Sequence, residues 1–248
     1  MRASHFGPLA GFVVPTIVIG YGFVIRSPLR DRGPAREVRA VQRPTFVARQ
    51  AGNPSGILGR LIAWIMERET AAPNAQAIAA LAPGPGDRVL EVGFAHGRTI
   101  EELARLTPRG FVAGIDHAPD MVELASRRCA RLIAEGRVDL KCADSRTLPF
   151  ADRSFDKVLA VHTVYFWSEP AIHLREIARV LQPDGVAVLG FRPASDPGCR
   201  DFPASVYTFY EPAELIALLD GAGFAGVTTD ERTPGFVVAR AVRRADCG

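Results

Sequence analysis

The residues best suited to chemistry lie in residues 88–97, which read R-V-L-E-V-G-F-A-H-G. The apolar residues predict a short buried strand, and Gly93 and Gly97 predict a turn that leads into a helix. Such a turn brings backbone N–H groups close to a ligand. Glu91 adds a carboxylate at the strand end. The stretch therefore favours a ligand with an ammonium group over one with phosphates.

The same stretch argues against a dinucleotide. The dinucleotide fingerprint G-x-G-x-x-G needs three glycines at fixed positions. Gly93 supplies the first, but Ala95 stands at the second position and Arg98 at the third. An NAD(P)-dependent oxidoreductase is therefore the less favoured alternative.

A second acidic residue ends the next predicted strand, residues 110–116. Asp116 lies 23 residues after Gly93. That is about the spacing at which an acid meets ribose hydroxyls in nucleotide-binding βαβ units. With Glu91 and the glycine turn, it resembles the class I S-adenosylmethionine (SAM)-dependent methyltransferases. Their first motif is usually (D/E)-x-G-x-G-x-G, from which this chain departs at Ala95.

A third motif, D-S-R-T-L-P-F-A-D-R-S-F-D at residues 144–156, strengthens the resemblance. It is similar to the D-x-x-x-L-P-F-x-D-x-S-F-D pattern of the group related to ubiquinone and menaquinone C-methyltransferases. In that group the residue matching Asp144 accepts a hydrogen bond from the adenine amine, and a carboxylate suits that donor. The resemblance implies SAM as cofactor and a site formed by Glu91, Gly93, Ala95, Gly97, Asp116, His117, Met121, Asp144, Ser145 and His162. Within it, Glu91 and the glycine loop would hold the methionine part, Asp116 the ribose, and Met121 and Asp144 the adenine.

The candidate catalytic residues, His162 and Tyr165, follow the fourth predicted strand, in the run H-T-V-Y-F-W of residues 162–167. Ligands of open α/β sheets bind outside the carboxyl ends of the strands at the switch point. His162 could act as a general base, or be a hydrogen-bonded structural residue whose backbone touches the cofactor. The aromatic residues of this run would suit a small or medium, partly apolar acceptor, or could belong to the core.

The predicted strands and helices that must position these residues indicate an α/β fold. The resemblance implies that this fold is the Rossmann-like class I methyltransferase fold. We expect a mostly parallel seven-stranded sheet with an antiparallel last strand and helices on both faces. One long helix is predicted over residues 118–135, and a turn at residues 182–185. Residues 192–210 lack periodicity and hold three prolines, which predicts a variable substrate loop.

Composition and the resemblance together predict the domain organisation. Residues 1–26 hold an uncharged apolar stretch (7–25), residues 27–53 are expected to be an Arg/Pro-rich linker, and the resemblance implies that residues 54–248 form the methyltransferase domain. Residues 7–25 just reach the length of a membrane span, although Pro15 and three glycines weaken it as a helix. It is either an anchor or a non-structural extension, and a signal peptide is disfavoured because no small-residue cleavage site follows. The arginines after it would keep the bulk of the chain cytoplasmic.

The charge distribution and the spacing of the cysteines argue against some classes of binding partner. Residues 1–49 carry a net charge of +6 and the remainder carries −3, which argues against a nucleic-acid partner for the domain. The four cysteines form no C-x-x-C and no His pair has zinc-ligand spacing, so we expect reduced cysteines and no metal. The expected partner is a small-molecule substrate, with membrane contact only through residues 7–25. The sequence leaves open a non-catalytic SAM-binding or partner-binding module, and the oligomeric state.

Overall fold

The computed structural model describes residues 70–245. The predictions for residues 1–26 and 27–53 and the predicted domain boundary at residue 54 lie outside this range. No helix within residues 70–245 combines the length and the hydropathy that a membrane crossing requires.

The described chain alternates helices and strands, except between its third and fourth strands, which no helix separates, and it closes with two neighbouring strands. The helices are α1 (Ala71–Leu81), α2 (Arg98–Leu106), α3 (Pro119–Arg128), α4 (Ala130–Ala134), α5 (Pro170–Val180) and α6 (Pro212–Gly221). The strands are β1 (Arg88–Val92), β2 (Phe111–Asp116), β3 (Val138–Cys142), β4 (Phe155–Val161), β5 (Leu181–Phe191), β6 (Phe224–Asp230) and β7 (Val237–Arg243). Short 3₁₀ helices cover Val164–Phe166 and Pro197–Asp201.

The strands form one seven-stranded sheet in the order β3-β2-β1-β4-β5-β7-β6. Strands β1 to β5 pair in parallel, and β7 runs antiparallel to both β5 and β6. This confirms the predicted mostly parallel sheet with an antiparallel last strand. Two large clusters of buried apolar residues pack the sheet. The strand order reverses between β1 and β4, so the switch point lies at their carboxyl ends.

Two local predictions differ from the structure. The single helix predicted over residues 118–135 is two helices, because Cys129 leaves helical geometry with φ −90° and ψ 11°. Strand β5 begins at Leu181, so the predicted turn at residues 182–185 lies inside the strand as an irregularity. Asp184 there takes a left-handed φ of 62°, which keeps the character of a turn within the extended segment.

The loop from β1 to α2 is shaped by three left-handed residues at alternate positions. Gly93 has φ 79°, Ala95 φ 48° and Gly97 φ 81°. A Cβ on Gly93 would lie 2.2 Å from Thr163 Cγ2, and one on Gly97 would lie 2.7 Å from the Ala125 Cβ. Both glycines are therefore required by close approach as well as by φ, whereas Ala95 carries the strain of an L-residue in this region.

We expect Ala95→Gly to raise the free energy of unfolding by up to ~1 kcal/mol. Relief of the left-handed strain outweighs the entropy that glycine adds to the unfolded chain. Urea unfolding would measure the change, with Ala217→Gly in the exposed part of α6 as the control. That control should lose ~0.5–1 kcal/mol, because it places glycine in a regular helix. Equal losses in the two variants would contradict the strain at Ala95.

Candidate cofactor and active site

A cavity of about 410 Å³ opens at the carboxyl ends of β1, β2 and β4. Its volume falls within the range of small-molecule sites. The sequence-predicted residues among its lining residues are Glu91, Gly93, Ala95, Asp116, His117, Met121, Asp144, Ser145 and His162. Gly97 and Tyr165 are not among the lining residues within the described part of the chain. Gly97 instead forms the N-cap of α2. The fold therefore gathers residues from distant stretches of sequence around one cavity.

Glu91 is a buried acid in the cavity wall, with 4% of the residue exposed. Burial, and next the nearby charge of Asp116, raise its pKa to about 8, while a hydrogen bond with the Thr99 side chain acts in the opposite direction. Its Oε2 atom has no hydrogen-bond partner among residues 70–245. A buried oxygen without a partner is costly, so this atom is suited to a donor on a ligand.

Asp116 ends β2 and holds the glycine loop in place. Its Oδ2 accepts a hydrogen bond from the Ala95 N–H at 2.9 Å, and its Oδ1 accepts one from the Ala118 N–H at 2.9 Å. Burial raises the pKa of the carboxyl, and these backbone hydrogen bonds oppose that rise. Because each carboxylate oxygen has a second lone pair, Asp116 can still accept hydrogen bonds from ligand hydroxyls. The neighbouring His117 is mostly exposed, with its Nδ1 3.9 Å from Asp116 Oδ1.

Asp144 and Ser145 follow β3 and face the same cavity from another side. Arg146 donates to Asp144 Oδ2 through Nε at 2.9 Å and Nη2 at 2.6 Å, and these hydrogen bonds lower the pKa of Asp144. The Ser145 Oγ lies 2.6 Å from His173 Nδ1 on α5. The His173 ring in turn stacks on Trp167, with centroids 4.7 Å apart and an interplanar angle of 5°.

His162 lies directly after β4 with a left-handed φ of 58°. Burial, with a smaller effect of the Arg192 charge, lowers its pKa to about 3. The ring is therefore neutral at neutral pH and a weak base. The Tyr165 hydroxyl lies 3.2 Å from His162 Nδ1 and accepts a hydrogen bond from the Arg192 N–H. Tyr165 thus links His162, at the end of β4, to Arg192, the first residue after β5.

Residues 192–210, predicted as a substrate loop, pack their aromatic rings against the end of β4. Tyr165 contacts Tyr207 and Phe209 with centroids 6.3 Å and 5.0 Å apart, and Phe166 contacts Tyr207 at 5.0 Å. Phe166 and Trp167 line the cavity, and Tyr165 does not. Tyr165 and Trp167 are both buried in the same core cluster, so Trp167 belongs both to the core and to the cavity wall.

Sequence reasoning missed several lining residues, among them Thr99, Arg146 and His173. Thr99 and His173 lie on helices, so only packing of those helices on the sheet brings them to the cavity. Thr163 belongs to the strand-end run of residues 162–167, which the sequence predicts to line the pocket, and it is a lining residue. Its Oγ1 is buried with no hydrogen-bond partner among the described residues.

Comparison with known proteins shows that the chain is similar to methyltransferases. Residues 90–189 match the family model described as a methyltransferase domain. An O-methyltransferase, cnsE, of Penicillium expansum is 32% identical over 151 residues, which cover 58% of this chain and 54% of that protein. The ubiquinone/menaquinone biosynthesis C-methyltransferase UbiE of Geobacter sulfurreducens is 30% identical over 154 residues, covering 62% and 58% respectively. The chain spans about half the length of the first curated relatives it matches.

A solved structure shows the same fold. The SAM-dependent methyltransferase from Aquifex aeolicus superposes with a TM-score of 0.60 at 18% identity, covering 81% of this chain and 99% of that chain. At this identity the likeness concerns the fold alone. It confirms the predicted Rossmann-like methyltransferase architecture.

We predict that Glu91 releases a proton when SAM binds. With a pKa of about 8, its carboxyl is protonated in the ligand-free protein at pH 7, and an ammonium group beside it favours the ionised form. Calorimetry in buffers of different ionisation enthalpy should detect the released proton. Glu91→Gln should abolish the release and weaken SAM binding about tenfold or more, since a hydrogen bond to a charged group contributes ~1.5–3 kcal/mol.

In the ligand-free protein Glu91 lowers the stability of the fold at neutral pH, whereas in the complex it strengthens SAM binding. Its pKa is raised above the unfolded value of 4.5, so its contribution to stability is present below pH 4.5 and is lost as pH rises toward 8. Glu91→Gln should therefore raise the melting temperature at pH 7. Glu123→Gln, at an exposed ion pair on α3, is the control and should leave both binding and proton release unchanged. Wild-type proton release in the Glu91→Gln variant would contradict this assignment.

Proposed function

We propose that this chain, which carries a class I SAM-dependent methyltransferase domain, is an active enzyme that methylates a small or medium, partly apolar acceptor. The observation that carries the proposal is the cavity at the switch point, with the buried carboxyls of Glu91 and Asp116 in its wall. Two buried acids at adjacent strand ends suit a ligand that combines an ammonium group with ribose hydroxyls. SAM has both groups, and it supplies an electrophilic methyl group on a sulfonium.

The residues present fit this cofactor. Two oxygens that have no hydrogen-bond partner within residues 70–245, Glu91 Oε2 and Thr163 Oγ1, would accept hydrogen bonds from the ammonium group. Asp116 would accept from the ribose, with His117 beside it. Met121, Asp144 and Ser145 would surround the adenine, and Gly93 leaves the backbone room that a side chain would take. Ala95 contributes its N–H to Asp116, and Gly97 shapes the loop from outside the cavity.

The acceptor would lie beside Phe166 and Trp167, whose rings form an apolar wall. Methyl transfer to a reactive nucleophile needs mainly alignment and exclusion of water, and a rigid aromatic wall provides both. His162 and Tyr165, the candidate catalytic residues, would act as a scaffold for this wall. A ring with a pKa of about 3 supports that role over general-base catalysis.

We place the enzyme in the cytoplasm, where SAM is made, with a small molecule as substrate. Cys129, Cys142 and Cys199 are free, which agrees with a reducing compartment. A domain that binds SAM without turnover is the alternative, and assays of a substrate panel with labelled SAM distinguish the two. The Ala95 and Arg98 positions disfavour a dinucleotide, and calorimetry with NADH checks this.

Asp116→Asn should weaken SAM binding about tenfold or more. The amide loses the charge and turns a donor toward the N–H of Ala95 or Ala118, at a typical cost of ~1.5–3 kcal/mol. Isothermal titration with SAM measures the change. Asp139→Asn on β3, whose carboxyl pairs with Lys141 outside the cavity, is the control and should bind like the wild type. Unchanged affinity in Asp116→Asn would show that the ribose assignment is wrong.

His162→Ala should lower SAM affinity and turnover together, because it removes a buried part of the scaffold. Wild-type kcat/KM should show no step from His162 between pH 5 and 9, since the pKa of the ring lies near 3. Tyr165→Phe, which removes only the hydroxyl next to His162, should give a smaller change in the same direction. Retained SAM affinity with a rate about 10²-fold lower would instead identify His162 as the general base.

A further inference from the structure

The connection from β3 to β4, residues 143–154, contains neither helix nor strand. It nevertheless carries Asp144 and Ser145, which line the cavity. A segment without secondary structure must be held by side chains, or the cost of ordering it falls on ligand binding. The contacts that hold this segment therefore matter for the site.

Two charged residues on α5 supply four of these contacts. Glu176 Oε2 accepts a hydrogen bond from the Leu148 N–H at 2.8 Å. Arg179 donates to the carbonyl oxygens of Leu148 at 3.0 Å and Phe150 at 2.9 Å, and to the Asp152 carboxylate at 2.7 Å. The backbone of Leu148 is thus bound at both its N–H and its carbonyl by one helix.

The two charged residues also hold each other. Arg179 donates to both carboxylate oxygens of Glu176, through Nε and Nη2 at 2.8 Å each. This pairing lowers the pKa of Glu176 and raises that of Arg179, so both are charged at neutral pH. The two-pronged geometry fixes the Arg179 fork, whose remaining N–H groups then point at the loop.

One turn earlier on α5, His173 contacts the loop at the cavity itself. Its Nδ1 lies 2.6 Å from Ser145 Oγ, and its ring stacks on Trp167. His173, Glu176 and Arg179 recur every three residues, so they lie along one side of the helix. Together they hold the loop from Ser145 to Asp152.

We infer that Glu176, Arg179 and His173 are positioning residues, which set the place of Asp144 and Ser145 and thereby the affinity for the adenine end of the cofactor. The inference rests on the proposed function. Neither Glu176 nor Arg179 lines the cavity among the described residues, so each acts through the loop and not by contact with the ligand.

A double-mutant cycle tests this inference. Glu176→Gln removes the charge that binds Leu148 and Arg179, and should weaken SAM binding about tenfold. If Glu176 acts through Asp144, the same change made in an Asp144→Ala background should alter affinity by less than about twofold. Equal effects in both backgrounds, or no effect in either, would overturn the inference.

Controls separate this result from loss of fold and from failure of the proposed function. Every protein is titrated well below its measured melting temperature. Glu135→Gln, which removes an exposed ion pair on α4, should bind SAM like the wild type. Arg179→Lys, which keeps the charge but loses the fork, takes the place of Glu176→Gln in the cycle if that variant does not fold. Absence of SAM binding by the wild type would refute the proposed function itself, whereas wild-type binding with an additive cycle refutes only the positioning role.

Discussion

The hydrogen bonds accepted by the Asp116 carboxylate connect the parts of the site. One oxygen binds the Ala95 N–H in the loop after β1, and the other binds the Ala118 N–H at the entry to α3. Strands β1 and β2 are parallel neighbours, so their carboxyl ends lie side by side and one carboxylate can reach both loops. The left-handed conformation of Ala95 is the strain that accompanies this arrangement. The loop geometry, the cavity wall and the orientation of α3 all depend on it.

The second constraint is electrostatic. Glu91 and Asp116 are both buried, and burial disfavours the ionised form of each carboxyl. The charge of Asp116 further disfavours ionisation of Glu91. Backbone N–H groups compensate Asp116, whereas Glu91 keeps one oxygen without a partner among the described residues. Such a site is more stable when a cation is present than when it is absent. The cost in the ligand-free protein and the preference for an ammonium group therefore have one physical origin.

The rest of the cavity is supported by side chains that do not themselves line it. The loop after β3 is bound by Glu176 and Arg179 on α5, and the end of β4 is bound through Tyr165 to residues 192–210. The Tyr207 ring, within residues 192–210, packs against Phe166 with ring centroids 5.0 Å apart, and so supports the cavity wall. The segments that line the cavity thus project from a rigid sheet and are held by side chains outside the cavity. Such support pre-organises them for binding.

The sequence alone determined the sheet, its parallel strands and several of the residues around the cavity, because these follow from local patterns. Apolar runs specify strands, glycines specify the loop, and the acids at residues 91, 116 and 144 stand at strand ends. Only the tertiary structure placed Thr99 and His173 at the cavity, because helix packing decides which side chains reach it. It also showed which of the consecutive aromatic residues at the short 3₁₀ turn reach the cavity: Phe166 and Trp167 line it, and Tyr165 does not. The pKa of His162 likewise depends on burial and on Arg192, thirty residues further along the chain, which no local pattern reveals.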